Sequence, residues 1–261
     1  MQQRGSVLTN KIVRGVHAPS PLYCGAMFKI APQLALLPLC LVLTAGPAFA
    51  AAKRPVVVEL FTSQGCGACT KANAVVADLA DRKDVLALTF PVDYWDYLGW
   101  KDTFARPEFS ARQRAYMKAA GQRDVYTPQV VVDGVAKTQK GAADGAPELI
   151  KTAALAHAPA PDMRLARGRL SVGSGAVPRG GAEVWLVRYE AQPRETPVKD
   201  GENRGVTVVY RNVATGLTRL GTWSGRPKAY VVPKAGKDAD AKTAILIQAK
   251  TSKRILGVLK P

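Results

Sequence analysis

The feature that most constrains this chain is a change of hydrophobic period around two cysteines. Val56-Val57-Val58-Glu59-Leu60-Phe61 has the β-branched content of a short buried strand, and Thr62 to Gly65 reads as a turn. From Gly67 the apolar positions Ala72, Val75, Val76, Leu79 and Ala80 recur at helical spacing, ending near Asp81. Cys66-Gly67-Ala68-Cys69 therefore stands where a strand hands over to a helix. The alternation continues. Val85 to Val92 is a second strand, and Pro107 opens a helix that Gly121 stops, with Phe109, Tyr116, Met117 and Ala120 on one face. Val130 to Val132 is a third strand, Asp133-Gly134 a hairpin turn into a fourth near Val135 to Thr138, and a last helix runs from about Pro147 to Ala156. The order is β-α-β-α-β-β-α.

The position of the two cysteines sets their chemistry. A thiolate is the reactive form, and an ordinary thiol with pKa about 8.5 is mostly protonated at neutral pH. A helix N-terminus offers unpaired N–H groups and about half a positive charge, both of which stabilise a thiolate. Cys66 is expected near the N-cap and Cys69 one turn further in. Two intervening residues let Cys69 reach back to Cys66, so Cys66 could attack a substrate disulfide and Cys69 resolve the mixed disulfide.

Residues Ile30 to Gly46 carry no charge, follow Lys29 and end in Ala48-Phe49-Ala50, the pattern of a secretory signal peptide. The leader is expected to span residues 1–50, with Met27 as an alternative start and cleavage near Ala50. The expected product is exported, periplasmic or secreted, and soluble. Four of the 37 basic residues and none of the 20 acidic ones precede residue 51, leaving 33 against 20, or +13. Export takes this charge away from cytoplasmic nucleic acid, so no nucleic-acid partner is expected; an anionic envelope surface is the alternative. Beyond residue 50 only Cys66, Cys69 and His157 remain of four cysteines and two histidines. That excludes a four-ligand zinc site of cysteine and histidine and a framework of several disulfides. No metal or cofactor is expected.

Composition shifts near residue 157. His157-Ala-Pro-Ala-Pro161 reads as a stiff linker over 158–161, and only strand-like runs follow. Trp185, Val187 and Tyr189 alternate on one face, as do Val206, Val208 and Tyr210; Tyr230 to Val232, Ala244 to Ile247 and Ile255 to Val258 are further strands. The expected architecture is an α/β domain over 53–157 and a small, sandwich-like all-β domain over 162–261.

The β-α-β-α-β-β-α order, the CxxC after the first strand and Thr127-Pro128 before the third together resemble the thioredoxin fold. The segments Glu59-Leu60-Phe61-Thr62-Ser63-Gln64-Gly65-Cys66, Val92-Asp93-Tyr94-Trp95-Asp96-Tyr97-Leu98-Gly99-Trp100-Lys101-Asp102 and Val125-Tyr126-Thr127-Pro128-Gln129 are similar to an exported, thioredoxin-like bacterial family catalogued as a domain of unknown function. Gly201-Glu202-Asn203 and Asn212-Val213 extend the likeness into the second half. The resemblance implies a thioredoxin-like first domain, export, and a cis-proline at Pro128 facing the active-site pair. It implies no substrate. Members often place two prolines after the second cysteine, where this chain has Thr70-Lys71; Lys71 adds a cation that favours a thiolate.

These readings name Cys66, Cys69 and Pro128 as catalytic elements and Glu59 as a candidate proton acceptor for Cys69. Thr127, Tyr94, Trp95 and Asp96 are candidate substrate-facing residues, against the alternative that the aromatic rings bury a connection. Asp93 and Asp96 are expected to cap turns, and His157 to sit at a helix end. Gly201 to Asn203 and Asn212 are either a binding loop or turns bonded to backbone. The expected function is thiol–disulfide exchange with protein substrates and an unidentified redox partner. The alternatives are a binding module for Cu(I) or a protein without turnover, and an envelope protein whose bridge is never opened.

Overall fold

The first strand, β1 (Val56–Thr62), is buried along its whole length because helices cover both of its faces. The computed structural model describes residues 54–138, 143–235 and 241–261; the apolar leader and the cleavage position expected near Ala50 lie outside the described residues. Alternation along β1 sends Val57 and Phe61 to one face and Val58 and Leu60 to the other. On the first face they meet Phe109 and Tyr116 of α2 (Pro107–Ala119). On the second they meet Ala72, Val76 and Leu79 of α1 (Cys69–Ala80) and Ile150 of α3 (Ala146–Leu155). Strand β2 (Val85–Pro91) pairs parallel with β1, while β3 (Gln129–Val132) pairs antiparallel with β1 and with β4 (Ala136–Lys137). The element order of this half agrees with the sequence reading.

The turn joining β3 to β4 shows why its residues are what they are. Asp133 and Gly134 have φ of 47° and 76°, the left-handed pair that a tight two-residue hairpin needs. A Cβ on Gly134 would lie 2.0 Å from the Lys253 carbonyl oxygen, so no other residue fits.

The second half supplies β5 (Met163–Ala166), β6 (Arg169–Val172), β7 (Ala182–Glu190), β8 (Arg194–Pro197), β9 (Thr207–Tyr210), β10 (Val213–Trp223), β11 (Lys228–Val231), β12 (Lys242–Ala249) and β13 (Ile255–Leu259). It does not form a domain of its own. The strands run β13-β12-β7-β10-β2-β1-β3-β4 in one eight-stranded mixed sheet, with three helices among the described residues. The described residues form one compact unit. The expectation of a thioredoxin-like α/β domain followed by a separate β sandwich is therefore corrected: the sheet and its core are shared by both halves.

The seam is the β2–β10 contact, parallel through Val213 and Thr89. Thr89 N–H donates to the Asn212 carbonyl at 3.0 Å, Thr89 Oγ1 to the Arg211 carbonyl at 2.8 Å, and Asn212 Nδ2 to the Ala87 carbonyl at 2.8 Å. Apolar packing crosses it, with Leu88 and Phe90 in the same cluster as Val187, Tyr189, Ala214 and Leu246. The 158–161 stretch passes from α3 to β5 without regular structure.

Two smaller sheets complete the fold. The order β11-β6-β5 packs Leu170, Val172 and Tyr230 on Val184, Leu186, Ile245 and Ile247. The β8–β9 hairpin packs Val208 and Tyr210 against Trp100 and Phe104 from the connection before α2. It thereby brings the second half to the end of β1 where the cysteines stand. No helix among the described residues is long and apolar enough to cross a membrane.

Candidate functional site

Cys66 and Cys69 form a disulfide, with Cα atoms 5.4 Å apart. Cys69 is the first residue of α1 and Ala68 its N-cap, so Cys66 lies in the turn before the helix rather than at the cap itself. Cys69 N–H donates to the Cys66 carbonyl at 3.1 Å, and Cys66 N–H to that of Ser63 at 3.2 Å. Thr70 Oγ1 donates to the Gly67 carbonyl at 3.0 Å. The helix start has no side-chain cap of its own and no acidic residue in its first turn. Lys71 is exposed on α1. Both cysteines are buried, Cys66 at 1% and Cys69 at 0% exposure.

Residues from three distant segments hold the turn. Gln64 N–H donates to Asp102 Oδ2 at 2.8 Å, and Tyr210 of β9 donates its hydroxyl to the same oxygen at 2.8 Å. Phe104 N–H donates to Asp102 Oδ1 at 2.9 Å. Burial pushes the Asp102 carboxyl above its usual value, with those donors pulling the other way. The Gln64 side chain accepts from Trp100 Nε1 at 2.9 Å and donates to Thr103 and Thr196 hydroxyls. From the β8–β9 loop, Asn203 Nδ2 donates to the Gln64 carbonyl at 2.8 Å and the Cys66 carbonyl at 2.9 Å. Glu202 Oε2 accepts from Gly67 N–H at 2.8 Å. Gly201 to Asn203 is thus the part of the second half that touches the motif. Asn212, by contrast, serves the β2–β10 seam.

Glu59 is not brought to Cys69. It shares the α2 face of β1 with Val57 and Phe61, whereas α1 packs on the other face. Its Oε1 accepts from Arg112 Nε at 2.6 Å and its Oε2 from the Tyr116 hydroxyl. Gln248 of β12 closes the group, its Oε1 accepting from Arg112 Nη1 at 3.3 Å and its Nε2 donating to the Tyr116 hydroxyl at 2.9 Å. Burial works against the Arg112 charge, yet Glu59 and Tyr116 outweigh it and hold the guanidinium above its usual value. Burial, chiefly, pushes the Tyr116 phenol well up. A carboxylate with both oxygens committed to a buried guanidinium and a phenol is a structural anchor, and the proposed proton-acceptor role has no contact behind it.

Thr127-Pro128 is a cis peptide, and Pro128 is buried. The β1–β3 register pairs Phe61 with Gln129; continued by one residue, it sets Pro128 opposite Thr62, four residues before Cys66. Gln113 of α2 anchors this segment, its Nε2 donating to the Tyr126 carbonyl at 2.8 Å and to Gln129 Oε1 at 2.9 Å.

Of the candidate substrate-facing residues, Tyr94 and Thr127 come together beside Pro128. Burial pushes the Tyr94 phenol up to about 12, with Gln113 and Thr127 pulling the other way. Trp95 packs partly buried against the core, and Asp96 Oδ1 accepts the Asp102 N–H at 3.2 Å. Asp93 Oδ1 accepts from the Ser110 hydroxyl at 2.5 Å. The ring of this segment that faces solvent is Tyr97, 82% exposed, which the sequence reading did not single out. His157 Nε2 meets Asp133 Oδ2 at 2.7 Å, away from the cysteines. Gln64, Asp102 and Tyr210 carry no local signal: each looks like an ordinary turn or strand residue until the fold brings them together. Among the described residues no group of three or more histidine, cysteine or carboxylate side chains forms a metal site.

Residues 57–248 match the model of a family described as "Protein of unknown function (DUF1223)". A crystal structure of a protein from Agrobacterium tumefaciens aligns with a TM-score of 0.62 at 27% identity, covering 78% of this chain and 92% of that one. A comparison with curated proteins finds no match.

Proposed function

We propose, for a chain that belongs to the DUF1223 family of proteins of unknown function, thiol–disulfide exchange with protein substrates through Cys66 and Cys69. The observation that carries the reading is a disulfide across one strand-to-helix turn, closing a loop of four residues at the start of α1. By chain entropy so short a loop stabilises the fold by only about 2 kcal/mol, less than a longer crosslink would. The same placement sets a reduced Cys66 beside the positive end of α1, which favours the thiolate.

The exchange balances as follows. The Cys66 thiolate attacks one sulfur of a substrate disulfide; a Cys66–substrate S–S bond forms, and the other substrate sulfur leaves as a thiolate. Cys69, deprotonated, then attacks Cys66 Sγ, forming the Cys66–Cys69 bond and releasing the second substrate thiolate. The substrate gains two electrons and, from solvent, two protons; the pair loses them. A dithiol partner returns the pair to its reduced form, or a disulfide partner drives the cycle in reverse. Pro128 has no N–H to donate, so the backbone beside it is open to an extended substrate. The uncharged run Ile30 to Gly46 and the Ala48-Phe49-Ala50 site support export to an oxidising compartment, where such a bridge persists.

The test is exchange by single variants. Cys66→Ser is expected to abolish insulin reduction, and Cys69→Ser to accumulate mixed disulfides. Undiminished exchange in Cys66→Ser removes the assignment. A reduction potential between about −120 and −270 mV fits working oxidoreductases, whereas one below about −300 mV identifies a bridge that is never opened.

A further inference from the structure

The amide that follows Cys66 is occupied. Gly67 N–H donates to Glu202 Oε2 at 2.8 Å, across 135 positions of sequence. A Cβ built on Gly67 would lie 3.2 Å from the same oxygen, so the carboxylate sits close against the backbone of the motif. Glu202 belongs to a loop closed on itself at the tip of the β8–β9 hairpin. Val198 N–H donates to the Val206 carbonyl at 2.9 Å and Gly205 N–H to that of Val198 at 2.9 Å, forming a neck. Beyond the neck, Arg204 N–H donates to the Gly201 carbonyl at 3.2 Å, and Val206 N–H to that of Asn203 at 2.9 Å. Asn203, 4% exposed, fastens the loop to Gln64 and Cys66, whereas Glu202 is exposed to solvent.

We propose that Glu202 is a positioning residue that favours the oxidised Cys66–Cys69 pair by occupying the Gly67 amide, and that reduction of the pair drives it off. The disulfide carries no charge, so in the oxidised protein the carboxylate alone benefits from the amides at the start of α1. Reduction and ionisation of Cys66 place a second negative charge beside the same amides. Two like charges on one cluster of donors oppose each other, and each disfavours the other's presence there. The coupling is reciprocal: by whatever factor Glu202 favours the disulfide, the disulfide favours the docked loop. The other charged groups on the elements packed here are Lys71 and, two turns on, Asp78 of α1, Lys101 and Asp102 beneath Gln64, and Lys199, Asp200 and Arg204 on the loop. Because Cys66 is buried while the loop is docked, the same release is the route by which the sulfur becomes accessible to a protein substrate.

The inference rests on the redox reading only in requiring a reducible pair, so its test does not depend on turnover. The reduction potential of the full-length protein is measured against glutathione for wild type, Glu202→Gln and Glu202→Ala, together with the pKa of Cys66 from thiolate absorbance. Glu202→Gln keeps an oxygen for the Gly67 N–H and removes the charge. It is expected to make reduction about tenfold easier, a rise of about 30 mV, to lower the Cys66 pKa by about one unit, and to lose part of both effects in high salt. In wild type, amide exchange over residues 199–206 is expected to rise on reduction; in Glu202→Ala it is high in both states. A Glu202→Gln potential and pKa equal to those of wild type overturn the proposal, whatever the variant does to thermal stability. A wild-type protein that equilibrates with glutathione yet reduces no insulin overturns the proposed function and leaves this comparison standing.

Discussion

Two of the polar knots by which the second half of the chain grips the first are built in opposite ways. At mid-sheet, Gln248 joins Glu59, Arg112 and Tyr116 in a buried group, with Phe90, Tyr116 and Trp185 rings around the guanidinium. At the end of β1, Asn203 and Glu202 bind the cysteine turn from a loop whose outer residues face solvent. The first cannot open without exposing the core and stranding a charge. The second can open at its neck, with water ready to take over its hydrogen bonds. Polar contacts of the same kind thus have unequal consequences: one group fixes how the halves join, and the other is available for change during a reaction cycle.

The largest effect should come from breaking the buried knot. Arg112→Met leaves the Glu59 carboxylate without its cation in a site of 0% exposure. Loss of one partner of such a pair costs about 3–5 kcal/mol, whereas replacing both partners by apolar residues is often close to neutral. Chemical denaturation of Arg112→Met and of Glu59→Met/Arg112→Met should therefore show a severe loss in the single variant and substantial recovery in the double. A double variant as unstable as the single would mean that the pair does more than neutralise itself.

The rim knot should respond less. Asn203→Ala leaves the buried carbonyls of Gln64 and Cys66 short of a donor, at a cost of about 1–3 kcal/mol. It is also expected to speed reduction of the disulfide by a small thiol, read by stopped-flow. An unchanged rate would show that the loop does not govern access.

Asp102 adds a pH dependence to this end of the molecule. Its carboxyl is raised in the fold by burial, so between its ordinary value and the raised one the native state binds more protons than the unfolded state. Stability from this group is then fully present at low pH and is lost as pH rises through the raised value. The stability difference between wild type and Asp102→Asn should shift in the variant's favour over that window. A pH-independent difference would mean that Asp102 keeps an ordinary titration.

What was legible in the sequence divides along the same line. Local periodicity found α1, α2 and α3 within a few residues, the hairpin at Asp133-Gly134, and the cysteine pair at a strand-to-helix turn. It did not find the seam. Strand β10 carries Gly216 and Gly221 at register shifts against β7 and mixes polar with apolar residues, so it has neither a clean alternation nor an apolar run. Without β10 the halves look independent, and the resemblance of the first half to a self-contained fold reinforced that reading. Glu59 misleads for a related reason. A carboxylate on an apolar strand reads equally as an acid–base group or as half of a buried pair, and its partner Arg112 lies on a helix whose inner face shows its period only through apolar residues. Gly201 to Asn203 did stand out, but no local pattern ties a turn to a motif 135 residues earlier.

The smallest expected effect is at Tyr97, and it separates the two ends by exposure alone. The ring is 82% exposed and stands in the 3₁₀ turn Asp96–Leu98, between Trp95, which packs on the core, and Trp100, which bonds Gln64. A solvated side chain that bonds nothing buried changes stability by no more than about 0.5 kcal/mol when replaced. Tyr97→Ser is therefore expected to leave the denaturation midpoint and the reduction potential unchanged. If the rim of the cysteine turn receives polypeptide, the same substitution should slow exchange with a protein disulfide while leaving exchange with glutathione alone, since only the larger substrate extends far enough to meet the ring. Equal slowing of both substrates would instead place Tyr97 in the structure of the turn, and would make this end of the molecule as rigidly built as the buried knot.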